Sequence, residues 1–138
     1  GWATYVEMDS YSMMEMDQQL ASIIMNNQMA SLCMYAQIDL GIHYYGWDLE
    51  DTLTYLTNFG ITSEEAAKEV YQTMVAEPGN YMKYALGYLE IMELRETAEE
   101  ELGDDFSLKE WNTFFLDMGP AQFEIIEKYM DKWMNDVN

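Results

Sequence analysis

Residues 17–43 read DQQLASIIMNNQMASLCMYAQIDLGIH, and this stretch decides the fold. It contains no proline, and apolar side chains recur at three- and four-residue spacing from Leu20 through Ile24, Tyr35 and Ile38 to Ile42. That is the period of a helix, not the alternation of a strand. Asp17 begins the helix, and its apolar positions run nearly all the way round. Such a helix belongs in the middle of a bundle, because every face needs a partner.

The flanking sequence repeats the helical period. Trp2, Tyr5, Val6 and Met8 predict a first helix from Trp2 to Met16. Gly41 and Gly46 loosen the end of the central helix, and Asp48 caps a third helix carrying Leu49, Leu53 and Leu56, which Asn58-Phe59-Gly60 closes. Thr62 and Glu65 have capping-box spacing ahead of Ala66, Ala67, Val70, Tyr71 and Met74, and Pro78-Gly79 ends that fourth helix. A long fifth helix, Asn80 to Leu102, bears Ile91, Leu94, Ala98 and Leu102 on one stripe and Tyr81, Tyr84, Tyr88 and Met92 on another, and Gly103 stops it. Ser107 and Glu110 repeat the capping-box spacing before Leu108, Trp111, Phe115 and Met118. Pro120 then stands in the first turn of a last helix whose buried stripe is Phe123, Ile126, Met130, Trp133 and Val137.

The expected fold class is all-α, an irregular bundle of about seven helices around the central apolar one. The helices differ in length and show no fixed repeat, so a regular helical solenoid is disfavoured. A chain of 138 residues fits a single domain, 1–138, and 49% aliphatic, aromatic and sulfur residues supply its core.

Composition excludes several functions. Six Lys and Arg against twenty-six Asp and Glu give a formal charge of −20, the wrong sign for nucleic acid or an anionic membrane surface. No apolar run reaches the roughly 18–20 residues of a membrane span. Cys33 is the only cysteine, so no internal disulfide forms. His43 is the only histidine, so no His-Glu-x-x-His zinc helix lies within the chain. The acidic run from Glu93 to Asp105 lacks the spacing of a calcium loop and reads as a solvated face.

The chain opens Gly1-Trp2-Ala3-Thr4-Tyr5-Val6-Glu7, already helical in period with no capping residue ahead, which reads as a cut. With Ile38-Asp39-Leu40-Gly41-Ile42-His43, Gly46-Trp47, Glu77-Pro78-Gly79, Tyr84, Gly87-Tyr88-Leu89-Glu90, Leu94-Arg95 and Gly119-Pro120, it resembles the C-terminal part of the bacterial domain-of-unknown-function 885 family. Members of that family look like zinc metallopeptidases of the gluzincin type. Their pattern reads Glu-Gly-Trp-Ala-x-Tyr-x-Glu at this point. The resemblance implies two zinc ligands on an upstream His-Glu-x-x-His helix and a third in the Glu directly before the Gly-Trp pair. On that expectation the chain is the C-terminal fragment of a larger protein and holds no metal or cofactor itself, with zinc bound in the intact parent. The parent is expected to be secreted or a cell-envelope lipoprotein.

The resemblance also nominates site residues. His43, at the end of the central helix, and Tyr84, at the Tyr position of the family's Pro-Gly-x-x-x-x-Tyr stretch, are candidate oxyanion donors. That stretch commonly carries Gln where this chain has Asn80. Trp47, Tyr81 and Arg95 are candidate substrate-binding residues, Arg95 because its planar fork suits a carboxylate or an ion pair with Glu7. Glu7 lies two turns after the position of the third ligand and is a candidate to orient a ligand from behind. For a lone histidine and for tyrosines on a helix stripe the plain alternative is structural: a hydrogen-bonded His at a helix end and a core stripe with hydroxyls at its rim.

Two functions compete. In the first, the intact parent hydrolyses peptides with zinc, and this part, inactive alone, supplies a wall of the substrate cleft. Its partners are then the preceding part of its own chain and a peptide substrate. In the second, it is a non-enzymatic acidic helical module of an envelope protein that binds peptides or basic partners. Surface normally covered by the rest of a cleft is expected to drive the fragment to a homodimer.

Overall fold

In the computed structural model, residues 1–137 are described, with side chains through Asp136. Among the described residues, seven α-helices follow one another: α1 (Trp2–Met13), α2 (Gln18–His43), α3 (Leu49–Thr57), α4 (Glu64–Ala76), α5 (Asn80–Leu102), α6 (Leu108–Met118) and α7 (Phe123–Val137). A single 3-10 turn, Gly103–Asp105, separates α5 from α6, and no strand occurs among the described residues. The fold is all-α. No helix among the described residues is long and apolar enough to cross a membrane.

Local chemistry accounts for the boundaries. The Asp17 carboxylate accepts from the Gln19 and Leu20 amides, both at 3.0 Å, and starts α2. Asp48 and Asp51 form a reciprocal capping box at the start of α3. Ser107 Oγ accepts from Glu110 N ahead of α6. Gly60, Gly79, Gly103 and Gly119 all take positive φ after helix ends, where a Cβ would be strained.

Three boundaries differ from the sequence-based expectation. The first helix stops at Met13 instead of Met16, because Met14 is extended (ψ 143°) and the chain must turn before the Asp17 cap. Ser63, not Thr62, caps α4: its hydroxyl accepts from Ala66 N, three residues on. Pro120 lies before α7 instead of in its first turn, since the helix starts at Phe123 with Gln122 O accepting from Ile126 N. The central helix is also less enclosed than its sequence suggests, with Leu20 49% and Ile23 65% exposed near its start and burial concentrated toward its end. Within the stripe expected on α7, Ile126 and Met130 are buried, and Val137 lies outside the described side chains.

The helices group into two compact units, Gly1–Tyr88 and the residues from Leu89 onward, with α5 continuous through the division. In the first unit α2 packs on α1, α3 and α4, and α3 on α4. Its core is Met34, Ile38, Leu56, Ala67 and Met74, with Tyr35, Ile42, Trp47 and Tyr81 packed around it. Burying a side chain such as Ile38 or Leu56 stabilises the fold by roughly 1.5–3 kcal/mol. In the second unit, Ile91, Leu94, Ala98 and Leu102 of α5, Trp111 and Phe115 of α6, and Ile126, Met130 and Met134 of α7 are buried. Phe114 stacks on Trp133 with ring centroids 5.1 Å apart, which joins α6 to α7.

Candidate functional site

The last turn of α2 carries a buried acid. Asp39 is 1% exposed, and its carboxylate accepts from Gly79 N at 3.0 Å and from Tyr81 N at 3.2 Å. Those amides open α5, where helical N–H groups lack intrahelical partners. Asp39 therefore caps a helix that begins about forty residues later, from the end at which helical N–H groups point outward. One turn on, His43 Nε2 lies 2.9 Å from Met74 O and 3.6 Å from Asp39 Oδ1. A carbonyl only accepts, so Nε2 carries the proton. The pair ties the ends of α2 and α4 to the beginning of α5.

Tyr81 follows directly. Its ring lies 5.1 Å from that of Tyr35 on α2, so the same residue is held through its backbone by Asp39 and through its side chain by an aromatic contact. One turn later Tyr84 reaches the edge of an open hollow of about 230 Å³, 39% exposed. The hollow is walled by Thr4, Glu7 and Met8 of α1 and by Gln28, Ser31, Leu32 and Tyr35 of α2. Of these, Thr4 and Met8 are buried and Glu7 is exposed. The Lys83 ammonium stands 5.4 Å from the centroid of the Tyr84 ring, over its face.

Gly1 fixes how α1 meets α5. Its amino nitrogen is 3.4 Å from Lys83 O, and a Cβ built on Gly1 would stand 2.5 Å from the Gly87 carbonyl carbon. The two backbones touch because neither residue has a side chain at the contact.

The sequence-nominated residues thus fall into separate places. Tyr84 and Glu7 share the hollow, with Tyr81 adjoining it through Tyr35. His43 is not among the walls of the hollow; it lies eight residues beyond Tyr35 on α2, about 12 Å along the axis. Trp47 lays its indole over Gly41, whose missing Cβ would otherwise come within 2.2 Å of Trp47 Cε3, and packs against Tyr55 with centroids 5.2 Å apart. Arg95 belongs to the second unit, where its Nε donates to Glu99 Oε1 at 2.8 Å.

Asp39 is the member of this constellation that sequence reasoning missed. A signal was present, since an acid one turn before the sole histidine interrupts an otherwise apolar end of α2. What it binds, two amides near residue 80, has no local signature.

The residues do not assemble a zinc site. Such a site takes three or four His, Cys, Asp or Glu donors, and no three of these converge among the described residues.

Known proteins add one finding. The sequence model of a family described as "Bacterial protein of unknown function (DUF885)" matches residues 1–130. No curated protein and no solved structure matches the chain.

Proposed function

The chain belongs to this bacterial family of unknown function, and we propose that it forms a helical wall of the substrate cleft in a zinc-peptidase-like parent, inactive alone, with Tyr84 donating to the oxyanion. One observation carries the reading. The start of α1 lies against α5 at Lys83 and Gly87, so a ligand-bearing residue placed before Gly1 would stand beside the turn that bears Tyr84. A phenol at the edge of an open hollow can present its proton to a carbonyl oxygen as negative charge develops there. His43 is the weaker donor of the two, because its Nε2–H is engaged by Met74 O and donation from Nδ1 needs the imidazolium. Trp47 and Arg95 are engaged by Gly41 and Glu99. Zinc, on this reading, is held outside this chain.

The test is Tyr84→Phe in the intact parent, which is expected to lower kcat by about 10²–10³ with little change in KM. Undiminished turnover removes Tyr84 from the chemistry. A parent without His-Glu-x-x-His upstream of Gly1 removes the peptidase reading itself.

A second reading, the acidic binding module, draws on a different feature. In the second unit Glu90, Glu93, Glu124, Glu127 and Asp131 line a hollow of about 310 Å³ that no Lys or Arg lines. Binding of a basic peptide that weakens steeply with salt and is lost when these acids are neutralised supports it. Exposed apolar side chains such as Met13 and Ile23 further suit self-association, which light scattering over a range of concentrations measures.

A further inference from the structure

The hollow beside Tyr84 carries chemistry that its proposed neighbour does not use. Met8, Leu32 and Tyr35 give it apolar lining, beside the uncharged polar Thr4, Gln28 and Ser31. Among its lining residues Glu7 brings a carboxylate with no cationic partner among the described residues. Lys83 stands over the Tyr84 ring, and Arg95 pairs with Glu99. At about 230 Å³ the hollow is below the roughly 300–1,000 Å³ that encloses a drug-sized ligand, and suits one side chain.

A hollow lined by apolar side chains and a single carboxylate matches an aliphatic stem with a cationic head, the amphipathic form of lysine. The geometry points to a specificity pocket for a basic side chain, lysine above all, of a peptide lying along the α1–α2 face, with Glu7 as the residue that binds the ammonium. This rests on the cleft-wall reading for its role in a reaction, but not for the binding itself. It also gives Glu7 a use that orienting a ligand before Gly1 does not, since such a residue would stand about 10 Å away along the helix. Arginine would meet the same carboxylate through its fork.

The binding arm uses this chain with Nα-acetyl-lysine methylamide, and with the norleucine analogue as the neutral control of equal stem length, followed by backbone amide NMR. Saturable shifts at Thr4, Ser31, Leu32 and Tyr84 with the lysine probe alone are expected, and Glu7→Gln should weaken that binding about ten- to a hundredfold, with the far-ultraviolet dichroism unchanged. Glu7→Asp should recover part of it. Equal shifts with norleucine, or full lysine binding by Glu7→Gln, overturn the inference. The second arm measures the lysine-over-norleucine preference in kcat/KM for peptides cut by the intact parent, which Glu7→Gln should reduce by about the same factor. Binding in the first arm without cleavage of any peptide supports the pocket and counts against the peptidase reading alone.

Discussion

Asp39 caps α5 from α2: its two carboxylate oxygens hold the amides of Gly79 and Tyr81, while His43 closes over Oδ1 at 3.6 Å. The connection joins parts of the chain about forty residues apart, so its loss is felt at the start of α5, where Tyr81 and Tyr84 sit. Asp39→Ala removes the partner of two part-buried amides and is expected to destabilise the fold by roughly 2 kcal/mol. Asp39→Asn, whose amide oxygen still accepts one bond, should cost less. Urea unfolding measures both, and a loss under about 0.5 kcal/mol for the alanine variant would falsify the capping role.

The contact of Gly41 with Trp47 makes a second prediction. A methyl group at Gly41 would overlap the indole, at 2.2 Å from Cε3, and the ring is held in place by Tyr55 behind it. Gly41→Ala should therefore destabilise by about 2–3 kcal/mol, more than the roughly 1 kcal/mol gained in helix propensity. In a Trp47→Leu background most of that penalty should vanish, and additive effects in the double-mutant cycle would show that the ring is not its cause.

Gly87 is the corresponding probe of α1. Its Cβ would meet Gly1 Cα at 2.8 Å, backbone against side chain with no rotamer to yield. Overpacking of about 1–3 kcal/mol against a propensity gain near 1 kcal/mol predicts a modest net loss for Gly87→Ala, and displacement of the first turn of α1. A shift in Trp2 fluorescence reports the displacement. A variant more stable than the parent chain with unchanged Trp2 emission would contradict the close approach.

Tyr55 sets an alkaline limit. Burial, with the nearby Cys33 thiolate as a smaller contribution, raises its pKa above the ordinary 10.0, and its hydroxyl donates to Gln37 Oε1. The unfolded chain then releases this proton at a lower pH than the folded one. Stability from this group is present below about pH 10 and declines as pH rises from there through the folded pKa. Thermal unfolding between pH 9 and 11 should show that decline, and Tyr55→Phe should flatten it. An equal slope in the variant assigns the decline to other groups.

The helices were largely legible because their determinants are local. The spacing of Ile91, Leu94, Ala98 and Leu102, and the caps Asp48 and Ser107, each act within a turn or two, and all appear where the sequence places them. Thr62 and Pro120 misled because either of two neighbouring residues can cap or open a helix, and the path of the preceding loop decides which does. The site was legible only in part. Tyr84 and Glu7 were nominated by resemblance, yet nothing in either segment reveals that residues 7 and 84 line one hollow.

By itself the sequence determined that the chain is helical, acidic and without a histidine-rich zinc helix, since period, charge and composition are sums over neighbours along the chain. Only the tertiary structure decided what the buried acid of α2 is for, which glycines touch, and which candidates stand together. Asp39 finds its amides across forty residues, and Gly1 meets Gly87, through packing that brings helix ends into register. Contacts of that kind depend on how complementary surfaces close on one another, and a linear pattern carries no direct record of them.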